Sequence, residues 1–233
     1  MDFRDRHVVV TGGTGALGTA VVGALLASGA HCHVPYFVAA EAERFAHRTH
    51  PRVKLIAGGD LADEGVVARI YDGVPRLWAS IHLAGGFAFG PVAKASKADV
   101  TGQLDKNFLT CFLCCRAAAA AIGRTAGGGR IVNVAARAAL EWRMGANTAA
   151  YVASKAAVAA FTTALAQEVV KEGILVNAVA PSIMDTPANR KDMPNADHAS
   201  WPKVEEVAAT ILFLASPANS VTSGAVVPVY GRA

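Results

Sequence analysis

The run Thr11-Gly12-Gly13-Thr14-Gly15-Ala16-Leu17-Gly18 limits what this chain can fold into more than any other feature. It follows the apolar stretch His7 to Val10 and precedes a helical pattern that Gly29 ends after about Ser28. Three glycines at 12, 15 and 18 let the backbone turn sharply and approach a ligand closely, and the helix that follows presents N–H groups and a positive dipole end. Two readings stand side by side. The segment is either a glycine-rich turn without a ligand or a dinucleotide cradle, and its place between strand and helix favours the cradle. Val8 to Ala30 is 23 residues without a formal charge, long enough to span a bilayer. Its six glycines, with Thr11, Thr14, Thr19 and Ser28, fit a strand, turn and helix better.

The rest of the chain repeats that rhythm. Apolar runs at His31–Phe37, Val53–Ala57, Leu77–Leu83, Arg130–Val134, Ile174–Ala180 and Ala225–Val229 read as strands. Helical patterns fall at Glu41–His50, Ala62–Tyr71, 97–122, 150–171 and Lys203–Ala215. Continuous apolar strands alternating with helices predict right-handed βαβ units and a parallel sheet covered on both faces. We expect a single α/β domain over residues 1–233, a Rossmann-like, doubly wound sheet of seven parallel strands.

Composition narrows the function. Lys plus Arg is 22 and Asp plus Glu 18, a formal charge of +4, with no basic run to suggest a nucleic-acid partner. The first seven residues, MDFRDRH, carry no signal-peptide pattern. Cys111, Cys114 and Cys115 lie in an apolar helical stretch without a histidine at ligand spacing, so they read as reduced packing residues rather than a metal or disulfide site. A cytoplasmic protein with no membrane partner is expected.

Cofactor choice should be legible at the end of the second strand, where an acidic residue would bond the ribose hydroxyls and repel a 2′-phosphate. That place holds His33, Val34, Pro35, Tyr36 and Phe37, with neither a carboxylate nor an arginine. NAD and NADP both stay open, with a lean toward NADP. Asp60, at the end of the third strand, could hold the adenine edge or cap the next helix. Tyr151 and Lys155 are four apart at the start of a predicted helix, on one face. An ammonium near a phenol lowers its pKa, making it a proton donor or acceptor near neutral pH.

Together these pieces resemble the short-chain dehydrogenase/reductase family along nearly the whole chain. In order they are TGGTGALG at 11–18, Asp60-Leu61, Leu83-Ala84-Gly85-Gly86, Asn107, RIVNV at 130–134, YVASK at 151–155 and VNAVAPSIMDT at 176–186. The resemblance implies hydride transfer on a nicotinamide cofactor. It makes Tyr151 the acid/base, has Lys155 lower its pKa and hold the ribose, and gives Asn107 a water-mediated proton relay. It places Gly12, Thr14, Gly15, Leu17, Gly18, Tyr36, Asp60, Leu61, Ala84, Gly85 and Pro181 around the cofactor, with Ile183 and Thr186 at the nicotinamide carboxamide. It also implies that helices 97–122 and 150–171 pair in a homodimer or homotetramer.

Two positions depart from the pattern. Ala136 stands where the family carries a catalytic serine, 15 residues before Tyr151, and His82 stands where an asparagine is common. His82 reads as packing. A narrower resemblance accounts for the missing hydroxyl: AARAALE at 135–141 and DTPANRKDMPNADHASW at 185–201 are similar to quinonoid dihydropteridine reductase and its bacterial relatives, which work with Tyr and Lys alone. That implies a small electrophilic substrate with C=N or C=O. Residues 185–201 would be a lid in which Met193, His198 and Trp201 either line the substrate or, for Trp201, anchor the lid. Trp142 and Asn147 are further candidates to face substrate. The rival readings are an ordinary alcohol or ketone dehydrogenase lacking the serine, and a non-catalytic dinucleotide sensor.

Overall fold

A computed structural model describes residues 1–124 and 127–232. The described residues form one seven-stranded parallel sheet in the order β3-β2-β1-β4-β5-β6-β7. The strands are β1 (His7–Thr11), β2 (His31–Tyr36), β3 (Val53–Ala57), β4 (Leu77–His82), β5 (Gly129–Val134), β6 (Ile174–Pro181) and β7 (Val226–Val229). The order reverses between β1 and β4, so the loops after those two strands diverge and open a crevice at the sheet's C-terminal edge. The expected single Rossmann-like domain is what forms.

Each face of the sheet has its own core. On one, α1 (Ala16–Ala27) and α9 (Val204–Ala215) pack through Val21, Leu25, Ile211 and Leu214. On the other, α3 (Glu64–Asp72), α5 (Thr110–Gly123) and α7 (Ala149–Val169) pack through Ile70, Cys114, Ile122 and Val158. Burial of both faces explains why β6 is buried at every residue and reads as an unbroken apolar run. The helix long and apolar enough to cross a membrane is α7, and it lies on this sheet against β6 and β5.

Three helices differ from their predicted extent. The helix expected at 41–50 is the short α2 (Ala39–Arg44). Phe45 leaves helical geometry and buries its ring, ending the helix there. α3 starts at Glu64 rather than 62 because Asp63 is the cap, accepting from Val66 N at 2.8 Å. Asp60 instead closes a turn, accepting from Ala62 N at 2.9 Å, so it is not the cap that the sequence allowed. The helix expected at 97–122 is α4 (Lys97–Leu104) and α5 joined by a π-helical turn, Asp105–Leu109. Such turns insert one residue into the ladder and concentrate at functional sites. Asn107 sits in this one.

Candidate active site

The glycine turn is built by close contact. Gly12 has φ +65°, and a Cβ there would lie 2.7 Å from Ala84 N. A Cβ on Gly18 would lie 2.2 Å from Gly12 O. No side chain caps α1, whose N-cap is Gly15, so its first amides face the crevice. These features fit a dinucleotide pyrophosphate, which needs bare backbone and unpaired N–H groups.

Two cavities meet at this turn. One, of about 330 Å³, is lined by Gly15, Leu17, Gly18, Gly85, Phe87, Ala136, Tyr151, Lys155, Pro181, Ser182, Met184 and Thr186, among others. The second, of about 270 Å³, takes in Thr14, Tyr36, Phe37, Glu41, Asp60, Leu61, Ala84 and Lys106. Gly12 and Gly85 border both. The predicted cofactor residues therefore divide between the two cavities, a reaction side and an adenosine side by the roles that the family resemblance implies. Ile183 is the exception: it is 45% exposed and lines neither cavity, while its neighbours Ser182 and Met184 turn inward.

Tyr151 and Lys155 reach the larger cavity from the first turns of α7. Lys155 is buried, and its Nζ donates to Val134 O at 2.9 Å. Burial draws its pKa down to about 8. Burial pushes the Tyr151 phenol up to about 12. Loss of water disfavours the phenolate, and Lys155 is engaged with the carbonyl at the end of β5. The phenol is thus held protonated at neutral pH. The Phe87 ring stands edge-on to it, with centroids 5.0 Å apart.

Asn107 is a clamp. Its Oδ1 accepts from Gly86 N, and its Nδ2 donates to Gly86 O, all at 2.9 Å. Nδ2 also lies 3.0 Å from Ser154 Oγ, which donates to Tyr151 O. The π turn thereby ties the loop after β4 to the start of α7, and Asn107 itself is fully buried outside both cavities.

Ala136, at the start of the short helix α6 (Arg137–Leu140), lines the reaction cavity. Ser182 also lines this cavity but donates to Tyr230 O, and Thr186 caps α8 (Pro187–Asp192) by accepting from Asn189 N. Trp201 is 7% exposed and its ring lies tilted against that of His198, with centroids 4.6 Å apart, and His198 Nε2 meets Met193 O at 2.8 Å. These three residues pack against one another within the 185–201 segment and line neither cavity, whereas Met184, Thr186 and Asn189 do face the reaction side. Trp142 is exposed with its Nε1 on Ala139 O, and the Asn147 carbonyl is taken by Gly90 N.

His82 is part of a buried hydrogen-bonded network. Its Nε2 meets Ser80 Oγ at 2.8 Å, and Nδ1 meets Asn133 Oδ1 at 2.8 Å. The cysteines are free and buried. The fold nonetheless brings His82 beside Cys111 and Cys115, their ligand atoms within 4.8 Å of one another. No sequence spacing could show this, because the histidine comes from a different element. Within this cluster Cys115 is hydrogen-bonded to His82 and Asn133, and His82 to Ser80 and Asn133.

Glu41 is a residue that the sequence reading missed. It lies in the first turn of α2 and accepts a 3.1 Å hydrogen bond from Thr14 Oγ1, so a carboxylate does border the adenosine side. The available signal was the position of Glu41 at the start of the helix after β2.

A family model of the short chain dehydrogenases matches residues 6–197. Galactitol 2-dehydrogenase of Rhizobium johnstonii is 33% identical, covering 96% of this chain and 93% of its own. Cis-4-hydroxycyclohexanecarboxylate dehydrogenase of Sinomonas cyclohexanicum is 32% identical, covering 98% and 96%. A short-chain type dehydrogenase/reductase structure from Mycobacterium ulcerans superposes with a TM-score of 0.86 at 26% identity, covering 100% of this chain and 90% of that one. The family match takes in both sides of the crevice, the bare backbone and the phenol facing it, and the chain accordingly belongs to the short-chain dehydrogenase/reductase family as an NAD(P)-dependent oxidoreductase.

Proposed function

We propose that this protein reduces an electrophilic C=N or C=O group in a small cyclic substrate, in the manner of quinonoid dihydropteridine reductase. The observation that carries the reading is the reaction cavity itself. Its Tyr151 phenol is half-buried and held protonated by loss of water, and Ala136 lines the same cavity where the family resemblance expects a second hydroxyl. A serine there would polarise a carbonyl oxygen, and removing one such donor costs about 2.7–4 kcal/mol of barrier. A quinonoid pterin is already electrophilic enough to accept hydride with less help.

When bound, the nicotinamide coenzyme supplies the hydride. Gly12, Gly15 and Gly18 hold the pyrophosphate, and Tyr36, Asp60, Leu61 and Ala84 enclose the adenosine. Lys155 uses one of its three N–H donors on Val134 O and has two left for ribose hydroxyls. Tyr151 donates the proton as the substrate takes up hydride, and Thr186 and Asn189 cover the reacting face at the base of a 185–201 lid. Asn107 acts through Gly86 and Ser154 as a positioning residue. The four buried free thiols support a reducing, cytoplasmic setting.

The test is consumption of reduced coenzyme with a quinonoid dihydropterin and with a panel of activated ketones. Pterin turnover exceeding every ketone supports the reading. Faster turnover of simple ketones or secondary alcohols establishes the ordinary dehydrogenase reading, which the alcohol-oxidising relatives favour. Tight coenzyme binding with no turnover leaves a sensor. We also propose that the half-buried faces of α5 and α7, where Phe112 and Phe161 pack at 5.3 Å, meet a second copy in a homodimer or homotetramer. A monomer in sedimentation at micromolar concentration removes this assembly.

A further inference from the structure

Resting on the reading of the crevice as a coenzyme site, we infer that Glu41 makes the enzyme prefer NAD(H) over NADP(H), reversing the lean that the second strand suggested. In a doubly wound fold this discrimination ordinarily comes from an acidic residue at the end of β2. Here that strand ends in Pro35-Tyr36, and the carboxylate arrives from the next helix instead. The hydrogen bond from Thr14 Oγ1 orients it across the glycine turn. Thr14 and Glu41 line the same cavity as Tyr36, Asp60 and Leu61, so the carboxylate borders the space around the adenosine ribose.

The charges around this cavity decide the sign. Two carboxylates, Glu41 and Asp60, line it with a single cation, Lys106. No arginine lines it, and Arg44, on the same helix as Glu41, spends its Nε on Ala40 O. A 2′-phosphate adds close to two negative charges. It would meet a carboxylate with no guanidinium lining the cavity to clamp it, while a ribose with free hydroxyls offers donors that a carboxylate accepts. Glu41 thus attracts the unphosphorylated coenzyme and repels the phosphorylated one.

Dissociation constants read by coenzyme fluorescence or calorimetry, without substrate, test this. The wild type should bind NADH roughly tenfold or more tightly than NADPH, a difference of about 1.4 kcal/mol per decade. It should likewise prefer 5′-AMP over 2′,5′-ADP as a competitor. Glu41→Gln should close most of that gap. Glu43→Gln, which removes the same charge from the same helix outside the cavity, should leave the ratio unchanged. Equal or tighter NADPH binding by the wild type overturns the inference, as does an unchanged ratio in Glu41→Gln. Failure of both dinucleotides to bind overturns it together with the coenzyme site. A clear NADH preference in a protein that reduces none of the substrates tried upholds Glu41 and sinks the proposed reaction instead.

Discussion

The two sides of the crevice recognise in different ways. Around Gly12 and Gly18 the contact surface is backbone, shaped by the absence of Cβ atoms, and the first amides of α1 carry no side-chain cap. Around Tyr151 and Lys155 it is side chain, and desolvation sets the protonation of both groups. A backbone site fails sterically when changed, and the surrounding structure suffers with it. A side-chain site fails chemically while the fold persists. Substitutions on either side should separate these behaviours.

The largest effect should come from Gly18→Ala. Its methyl would lie 2.2 Å from Gly12 O, so coenzyme affinity should fall by roughly a thousandfold or more and stability by about 3 kcal/mol. Calorimetric titration and thermal unfolding would show whether binding and folding fail together. Normal binding in this variant would break the contrast. On the other side, Tyr151→Phe should lower turnover by about 10²–10⁴ while coenzyme affinity stays within about twofold. Activity surviving this change would remove the phenol as the acid.

Ala136→Ser sharpens the reaction side further. A hydroxyl at that place should raise ketone reduction by roughly ten- to a hundredfold, approaching the range that one positioned donor supplies. Reduction of a quinonoid pterin should change far less. Steady-state kinetics with both substrates would decide, and an equal gain on both would contradict the proposed reason for the alanine.

The last effect is in the nucleotide half, on stability rather than turnover, and follows acidity. His33 is buried on β2, with His7 Nδ1 2.9 Å from its Nε2 and its own Nδ1 without a partner. Burial, then the positive charges of His7, Lys54 and His31, lower its pKa from 6.5 to about 4. The neutral ring belongs to the folded state, so its contribution is fully present above pH 6.5. It is lost as pH falls from 6.5 to 4, because the unfolded chain takes up a proton first, and the loss is on the order of 2–3 kcal/mol. Denaturant unfolding across that window should show the decline, and His33→Asn should flatten it. An unaltered slope in that variant would move the acid sensitivity elsewhere.

Local pattern was enough to read the sheet, its parallel strands and the positions of the glycine turn and the Tyr–Lys helix. Strand burial and glycine geometry leave their mark on neighbouring residues in the chain, so the reading of β1 and α1 needed no partner elements. The π turn at Asn107 was not legible in this way, since its residues pass as ordinary helix and its clamp partners, Gly86 and Ser154, are distant in sequence. His82 beside Cys111 and Cys115 was hidden for the same reason.

The order of residues by itself determined the architecture and the pairing of a bare phosphate cradle with a phenol one helix-turn from an amine. Tertiary structure alone decided what those groups experience. It withdrew water from Tyr151 and raised its pKa, turned Ile183 outward, and carried Glu41 against Thr14 to supply the carboxylate that β2 lacks. Desolvation and cross-element contact depend on how distant segments meet, and that information is not carried by any single stretch of chain.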